Sequence, residues 1–485
     1  MVRTLDVILP LCILLYFMML YAVSHAVSKN SGGSAFYRGD RQSPWYMVAF
    51  GMVGASISGV TFVSVPGMVL HSDMTYLQTC MGFILGYFVV AFVLLPIYYR
   101  LNLTSIYTYL QRAGSEAYKT GASFFILSKL LGSAAKFYVP CFIVSHMLEC
   151  SFPLTVCALL IPIWLYTRKS GIKALVWTDT LQTFFMLAAL LLILYNVYTE
   201  LTNGTDAMTT TEVASNVWHS SYSRVFNFSD WNSSSHFLKC FISGIFIVIV
   251  MTGLDQDMMQ KNLTCRSLHD AQKDMCTYGF AFVPVNALFL VLGVMLTMLL
   301  AKNGMPLPER ADELLTQFAT SPQLSSVIVP CAFLLGIIAT SFSTIDSALT
   351  ALTTSFCIDL QHKHSEDDTK HRSRVHLAMT FAMAICCILF DQLNSTSLID
   401  AIYKLVSYTY GPLLGLFAYA MLFPKQPSKR KGCVAAICIL SPLLCLALDH
   451  FVPIFTGYHF GYELLLINGL LTFTALWSLY RIERL

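Results

Sequence analysis

Charge is scarce in this chain: Asp, Glu, Lys and Arg supply 12% of its 485 residues, while 56% are hydrophobic. Soluble globular domains are about one-quarter charged, so that class is excluded. Neither an HExxH metal motif nor a Ser/His catalytic set is present, which argues against an intramembrane enzyme. The fifteen cysteines form no CxxC pair. Most lie inside apolar runs, where they read as small packing residues rather than a redox or metal motif. No stretch is long and polar enough for an inserted soluble domain, and several apolar runs lack the alternation that a β-barrel needs.

Long apolar runs, by contrast, recur from end to end. About thirteen are long enough to cross a bilayer as helices: 4–26, 43–70, 75–99, 121–148, 152–168, 174–199, 236–260, 273–301, 325–353, 374–393, 397–423, 430–452 and 458–481. The fold class is therefore all-α, a polytopic membrane protein. Arg3 and "SHA" flank the first run as in a signal peptide, but the run is long for one and is read as a retained span. Lys and Arg gather between alternate spans: Arg38 and Arg41; Arg100, Arg112 and Lys119; Arg168, Lys169 and Lys173; Lys261, Arg266 and Lys273; Lys370, Arg372 and Arg374; Lys425, Lys429, Arg430 and Lys431. The positive-inside rule then puts the N-terminus outside and the C-terminus in the cytoplasm, as an odd span count requires. The long loop 200–236 is polar and is expected to be only partly ordered; it holds the sequons at Asn203, Asn227 and Asn232. The inner connection 360–374 has three histidines but no metal-ligand spacing.

Spans two to six (43–199) and seven to eleven (236–423) make two sets of five, with one extra helix before them (4–26) and two after (430–481). Five is odd, so the second set is inverted relative to the first. Inverted-repeat transporters have this topology, with a broken first helix in each half and a site near the midplane. "GMVGASISGVTFVSVPG" (51–67) suits such a break, because its glycines and proline weaken a helix and free carbonyl oxygens. Close helix packing through small residues is the competing reading.

The most unusual stretch is "ATSFSTIDSALTALTT" (339–354). Positions 340, 343, 344 and 347 share a helical face. Hydroxyls there can simply bond their own backbone, but Asp346 at membrane depth needs a partner or a cavity. Hydroxyls, free carbonyls and a carboxylate form a hard-oxygen set suited to sodium. Asp179 and Lys136 are also buried by position. Lys136 requires either a structural carboxylate, with Asp179 and Asp346 as candidates, or an anionic solute. Asp255 and Asp257 lie near a cytoplasmic span end and read as solvated.

At this point the chain resembles the sodium:solute symporters over about 36–423. "FYRGDRQSPWYMVAFGMVGASISGVTFVSVPG", "LPIYYRLNLTSIYTYLQRAG", "GIKALVWTDTLQ" and "FSTIDSALTALTTSFCIDL" are similar to family stretches and follow family order. The resemblance implies one sodium held by the carbonyls of Gly54, Ile57 and Thr340 with the hydroxyls of Ser343 and Thr344. Asp179, with Ser343, Asp346 and Ser347, is the implied place of a second cation or a proton, although a hydroxyl is more usual where Asp346 stands. Solute contacts are expected from Ser58, Thr61, Gln78, Lys136, Ser243 and Tyr408. Val60 and Thr61 lack the sugar-reading acid and amide of the galactose transporters, and Lys136 suggests a carboxylate-bearing solute. The expected activity is sodium-coupled symport of a small organic solute in the plasma (inner) membrane. Proton coupling through Asp179 and a transport-inactive solute sensor are the alternatives.

Overall fold

The computed structural model describes residues 2–29, 35–169, 171–203, 207–229, 231–321, 324, 326, 328–362, 368–393, 398–423 and 432–483, with the side chains of 2–7, 393 and 398–407 excepted. His364, Lys425, Lys429, Arg430 and Lys431 lie outside the described residues, as do the two residues after Asn203 in its sequon. Among the described residues the chain is helical, with a single isolated bridge between Ser43 and Cys265 and no group of ligands able to hold a metal in the sense of a His/Cys/carboxylate cluster.

We number the helices that carry the argument. They are α1 (Val2–Ser28), α2 (Trp45–Ser56), α3 (Gly59–Gly67), α4 (Tyr76–Val89), α5 (Ser115–Met147), α6 (Phe152–Thr167), α7 (Ile172–Thr202) and α8 (Phe237–Val248). After them come α9 (Gln256–Asn262), α10 (Leu268–Lys302), α11 (Ile328–Ser355), α12 (Thr369–Leu393), α13 (Leu398–Leu422), α14 (Cys433–Thr456) and α15 (Leu464–Ile482). Nine helices among the described residues are long and apolar enough to span a membrane, and two bent pairs, α2/α3 and the pair that begins with α8 and ends with α9, pass the same test of length and apolarity when each is taken together.

The two bends have local causes. Between α2 and α3 the axis turns by 63°, because Ile57 (φ −89°, ψ 93°) and Ser58 (φ −73°, ψ 167°) are extended. The Ser58 hydroxyl then restarts the helix by accepting a hydrogen bond from the Thr61 amide at 3.3 Å. Between α8 and α9 the turn is 70°, and the Asp255 carboxylate caps α9 through the Asp257 amide at 2.9 Å. Each bend leaves main-chain groups outside the helical ladder, which membrane proteins tolerate only inside the protein.

Burial sorts the helices into centre and rim. In the helix that begins as α11 and runs to Leu360, 78% of the most apolar window is buried, against 22% for α1 and α14. The rim helices turn Leu11, Leu14, Leu15 and Met18 of α1, Phe381, Ile385 and Leu389 of α12, and Leu440, Leu443 and Leu444 of α14 outward. That helical spacing of exposed apolar residues is the surface a lipid chain covers. The chain is thus an integral multi-pass membrane protein.

The 200–236 loop is more ordered than its polarity suggests. Thr209 and Glu212 form a reciprocal capping box that starts a helix at Thr210–His219. Its far end is pinned into the protein, where the Gln78 carboxamide oxygen accepts from the buried Asn227 amide at 3.1 Å and its nitrogen donates to the Ser235 carbonyl at 3.0 Å. The Asn227 side chain donates to the Ser235 hydroxyl at 2.9 Å, so this sequon asparagine is buried in the folded protein.

Close approach of α4 and α8 depends on two glycines. A Cβ on Gly82 would stand 2.1 Å from the Phe241 carbonyl, and one on Gly244 2.3 Å from the Thr79 carbonyl. Gly82→Ala and Gly244→Ala are each expected to force the helices apart and cost roughly 1–3 kcal/mol. Thermal unfolding in detergent micelles measures this, and wild-type midpoints would show that the helices part freely.

Candidate functional site

The α2/α3 bend lies against α7 and α11. Gly51 and Gly54 allow α2 that proximity: a Cβ on Gly51 would stand 3.0 Å from the Asp179 Cβ, and one on Gly54 2.0 Å from the Thr183 hydroxyl. A Cβ on Gly59, at the start of α3, would collide with Pro140 of α5 and the Ser341 hydroxyl of α11. The bend is therefore enclosed by α5, α7 and α11.

Most α11 hydroxyls bond their own helix. Thr340, Ser341, Thr344, Thr350, Thr353 and Thr354 each donate to the carbonyl four residues earlier. Two depart from that pattern. Ser343 donates to Asp179 Oδ1 at 2.8 Å, and Ser347 donates to Asp346 at 3.1 Å. Because Ser343 gives its proton to Asp179 and Thr344 gives its own to the Thr340 carbonyl at 2.9 Å, both hydroxyl oxygens retain lone pairs. Thr344 lines a cavity that Ala55 and Ser56, at the end of α2, also line.

The structure pairs Asp179 with a residue that the sequence places elsewhere. Lys261, counted above among cytoplasmic loop cations, is buried on α9 with its Nζ 2.8 Å from Asp179 Oδ2. Asp257 lies 3.9 Å from the same ammonium. Asp255 and Asp257, read above as solvated, are buried as well. Lys129 of α5 holds them at 3.0 and 2.7 Å, and the Tyr410 hydroxyl donates to Asp255 at 2.9 Å. Both corrections share one cause: the bend between α8 and α9 turns this polar segment back into the protein. An ionic chain results, running Tyr410, Asp255, Lys129, Asp257, Lys261, Asp179, Ser343. Asp346 stands beside it and accepts from Tyr166 at 2.6 Å. The Gln182 carboxamide lies between the two acids; oriented toward Asp179, its nitrogen donates at 3.0 Å.

A cavity of about 110 Å³ occupies the centre, among the bend, α5, α9 and α13. Of the residues expected at the solute, Thr61 and Lys136 line it. Ser58 is turned back onto Thr61. Gln78 supports the loop, and Ser243 is buried on α8 away from the lining. Tyr408 donates to Asp449 of α14 at 3.0 Å, and Tyr410 stands at the cavity in its place. No carboxylate pairs with Lys136 among the described residues; its candidate partner Asp179 is taken by Lys261.

Sequence reasoning missed Lys129, Lys261, Tyr166 and Gln182. A signal for Lys129 existed: it precedes Lys136 by seven residues in an otherwise apolar run, so both fall on one helical face.

A helix bend, a hydroxyl-rich central helix and a cavity lined by charged side chains thus stand together in one helical membrane protein. The model of the sodium:solute symporter family matches residues 36–439, and the chain belongs to that family. It is 24% identical to the sodium-dependent multivitamin transporter of Oryctolagus cuniculus, over 82% of this chain and 63% of that protein. It is 22% identical to the sodium/sialic acid symporter NanT of Aliivibrio fischeri, over 88% of this chain and 84% of that one. The chain thus spans less than two-thirds of the length of the rabbit relative. The substrate-bound, outward-open structure of a Na+-coupled sialic acid symporter superposes with a TM-score of 0.81 at 18% identity, covering 97% of both chains, so the fold is shared.

Lys129→Met takes from Asp255 and Asp257 the ammonium that holds both, leaving Asp257 only Lys261 at 3.9 Å. We expect a loss of roughly 3–5 kcal/mol in stability. Adding Asp255→Asn and Asp257→Asn should restore much of it, as read by denaturation in detergent. An unaltered single variant would show that the ion pairs contribute nothing.

Proposed function

We propose that this chain is a sodium-coupled symporter that carries a small organic solute with a negative group, such as a sugar acid, across the plasma membrane by alternating access. The observation that carries the reading is the pair of hydroxyl oxygens on α11, Ser343 and Thr344, which keep lone pairs free, together with the helix that ends at Ser56 and gives way to extended backbone at Ile57. With the Gly54, Ile57 and Thr340 carbonyls these hydroxyls are the ligand set for one sodium. Hard oxygens from two helices suit sodium, and a helix bend kept inside the protein leaves carbonyls outside the helical ladder that a cation can satisfy.

The finer architecture follows the same reading: thirteen spans, two inverted sets of five and an external N-terminus. Nine long helices, the two bent pairs, the apolar α6 and α13 support the count, and the bends open the first and the second set. Lys136 carries the solute class. It faces the cavity with no carboxylate of its own among the described residues, so an anionic group on the guest is the counter-charge it lacks. The sialic acid symporter among the relatives supports an acid as cargo.

Ser343→Ala with Thr344→Ala removes two ligands and keeps a good helix former at both sites. In the wild type, millimolar sodium should raise the unfolding midpoint by linkage, and the double variant should lose most of that rise. An identical sodium response in the two proteins would place the ion elsewhere. Imposed sodium and proton gradients in proteoliposomes separate sodium from proton coupling.

Lys136→Met should abolish uptake of an acidic solute while leaving folding and the sodium response intact. A panel of sugar acids, monocarboxylates and neutral sugars tests this in vesicles. A neutral sugar carried at the wild-type rate by the Met variant would overturn the anionic assignment.

A further inference from the structure

We propose that the Lys261 ammonium is a resident cation, standing at Asp179 in place of a second mobile ion. The inference deepens the proposed sodium coupling and rests on it. Asp179 has two carboxylate oxygens, and both are engaged. Oδ1 accepts from Ser343 at 2.8 Å, and Oδ2 faces Lys261 Nζ at 2.8 Å. The lysine and aspartate side chains are 2% and 1% exposed, so neither charge is shared with water.

The contact has the character of an ion bound to a carboxylate. The Nζ–Oδ2 separation of 2.8 Å is that of a close, buried ion pair. Lys261 does not line the central cavity, which sets it apart from Lys129 and Lys136 and removes it from the solute. Its position is fixed from behind: α9 has seven residues, starts at the Asp255 cap, and brings Asp257 within 3.9 Å of the same ammonium while Asp257 stays with Lys129 at 2.7 Å.

Repulsion decides the outcome. A sodium ion seeking Asp179 would have to settle within a few ångströms of an ammonium in a medium of low dielectric, where like charges repel strongly. The lysine charge enters once, when the protein folds. A mobile ion would have to be dehydrated in every cycle. The proposed sodium ligands, the Gly54, Ile57 and Thr340 carbonyls with the Ser343 and Thr344 hydroxyls, are separate from this pair: the ion-pair partners of Lys261 among the described residues are Asp179 and Asp257.

Equilibrium binding of radioactive sodium to the purified full chain tests the proposal. Lys261→Gln should bind one more sodium per protein than wild type, and its unfolding midpoint should become more sodium-dependent. Should that variant fail to fold, Asp179→Asn/Lys261→Gln decides, since it removes both charges together. A resident cation predicts that this double variant keeps the wild-type sodium count. Loss of one ion from the double variant would overturn the proposal, because Asp179 would then ligate a mobile sodium in the wild type. A well-folded Lys261→Gln that gains no ion would also overturn it. Absence of any bound sodium in the wild type would instead sink the sodium coupling, while a gain in Lys261→Gln would still support a resident cation.

Discussion

Keeping ionised groups paired away from water is the constraint on which this structure depends. A buried carboxylate or ammonium is tolerable only when an opposite charge stands beside it, and removing either partner costs far more than the pair gives back. Here the pairing is serial. Lys129 holds Asp255 and Asp257, Asp257 approaches Lys261, and Lys261 holds Asp179. The members come from α5, α7 and α9 and from the bend before α9, with Tyr410 of α13 at one end and Ser343 of α11 at the other. Helices that lipid alone would leave free to slide are thereby keyed to one register, since no hydrophobic force draws them together inside a bilayer.

Asp255 does double duty in that arrangement. Its carboxylate starts α9 by capping it and also binds Lys129. A local feature, the place where a helix resumes, is thus made inseparable from a tertiary one. The first bend has no such tether. Ser58 caps α3 with an uncharged hydroxyl, and the neighbouring glycines yield to α7 by absence of side chain rather than by attraction. One bend is anchored by charge and the other by fit.

Much of this was legible in the chain itself. The apolar runs located most helices, the glycine- and proline-rich stretch at 51–67 marked the first bend, and the hydroxyl-rich stretch at 339–354 marked the central helix with Asp346 and Asp179 nearby. Lys261 was not legible. It sits in a segment with Asp255, Asp257, Arg266 and Lys273, and in one dimension that looks like a solvated loop. Only a 70° turn puts it inside, and the turn carries no strong sequence mark beyond Gly253. Tyr408 and Gln78 lie off the cavity for a different reason. Both are polar and at suitable depth, but helix rotation decides whether a polar group meets the cavity or a neighbouring helix, and apolar runs without a polar face leave that rotation undefined. The Asn227 sequon likewise looked like surface until the loop was seen to fold onto Gln78.

The habit of the α11 hydroxyls of bonding their own helix has one more consequence. An ion site must also let go, and oxygens that lose a cation inside a dry protein are left as unanswered dipoles. Thr344 and the Thr340 carbonyl, both proposed ligands, hydrogen-bond to each other at 2.9 Å. That bond uses the Thr344 proton and one lone pair of the Thr340 carbonyl, so it can persist whether the site is filled or empty and holds both oxygens in place as the ion comes and goes. A weakly held ion that leaves without disturbing its surroundings suits a reusable carrier better than a tight and permanent one.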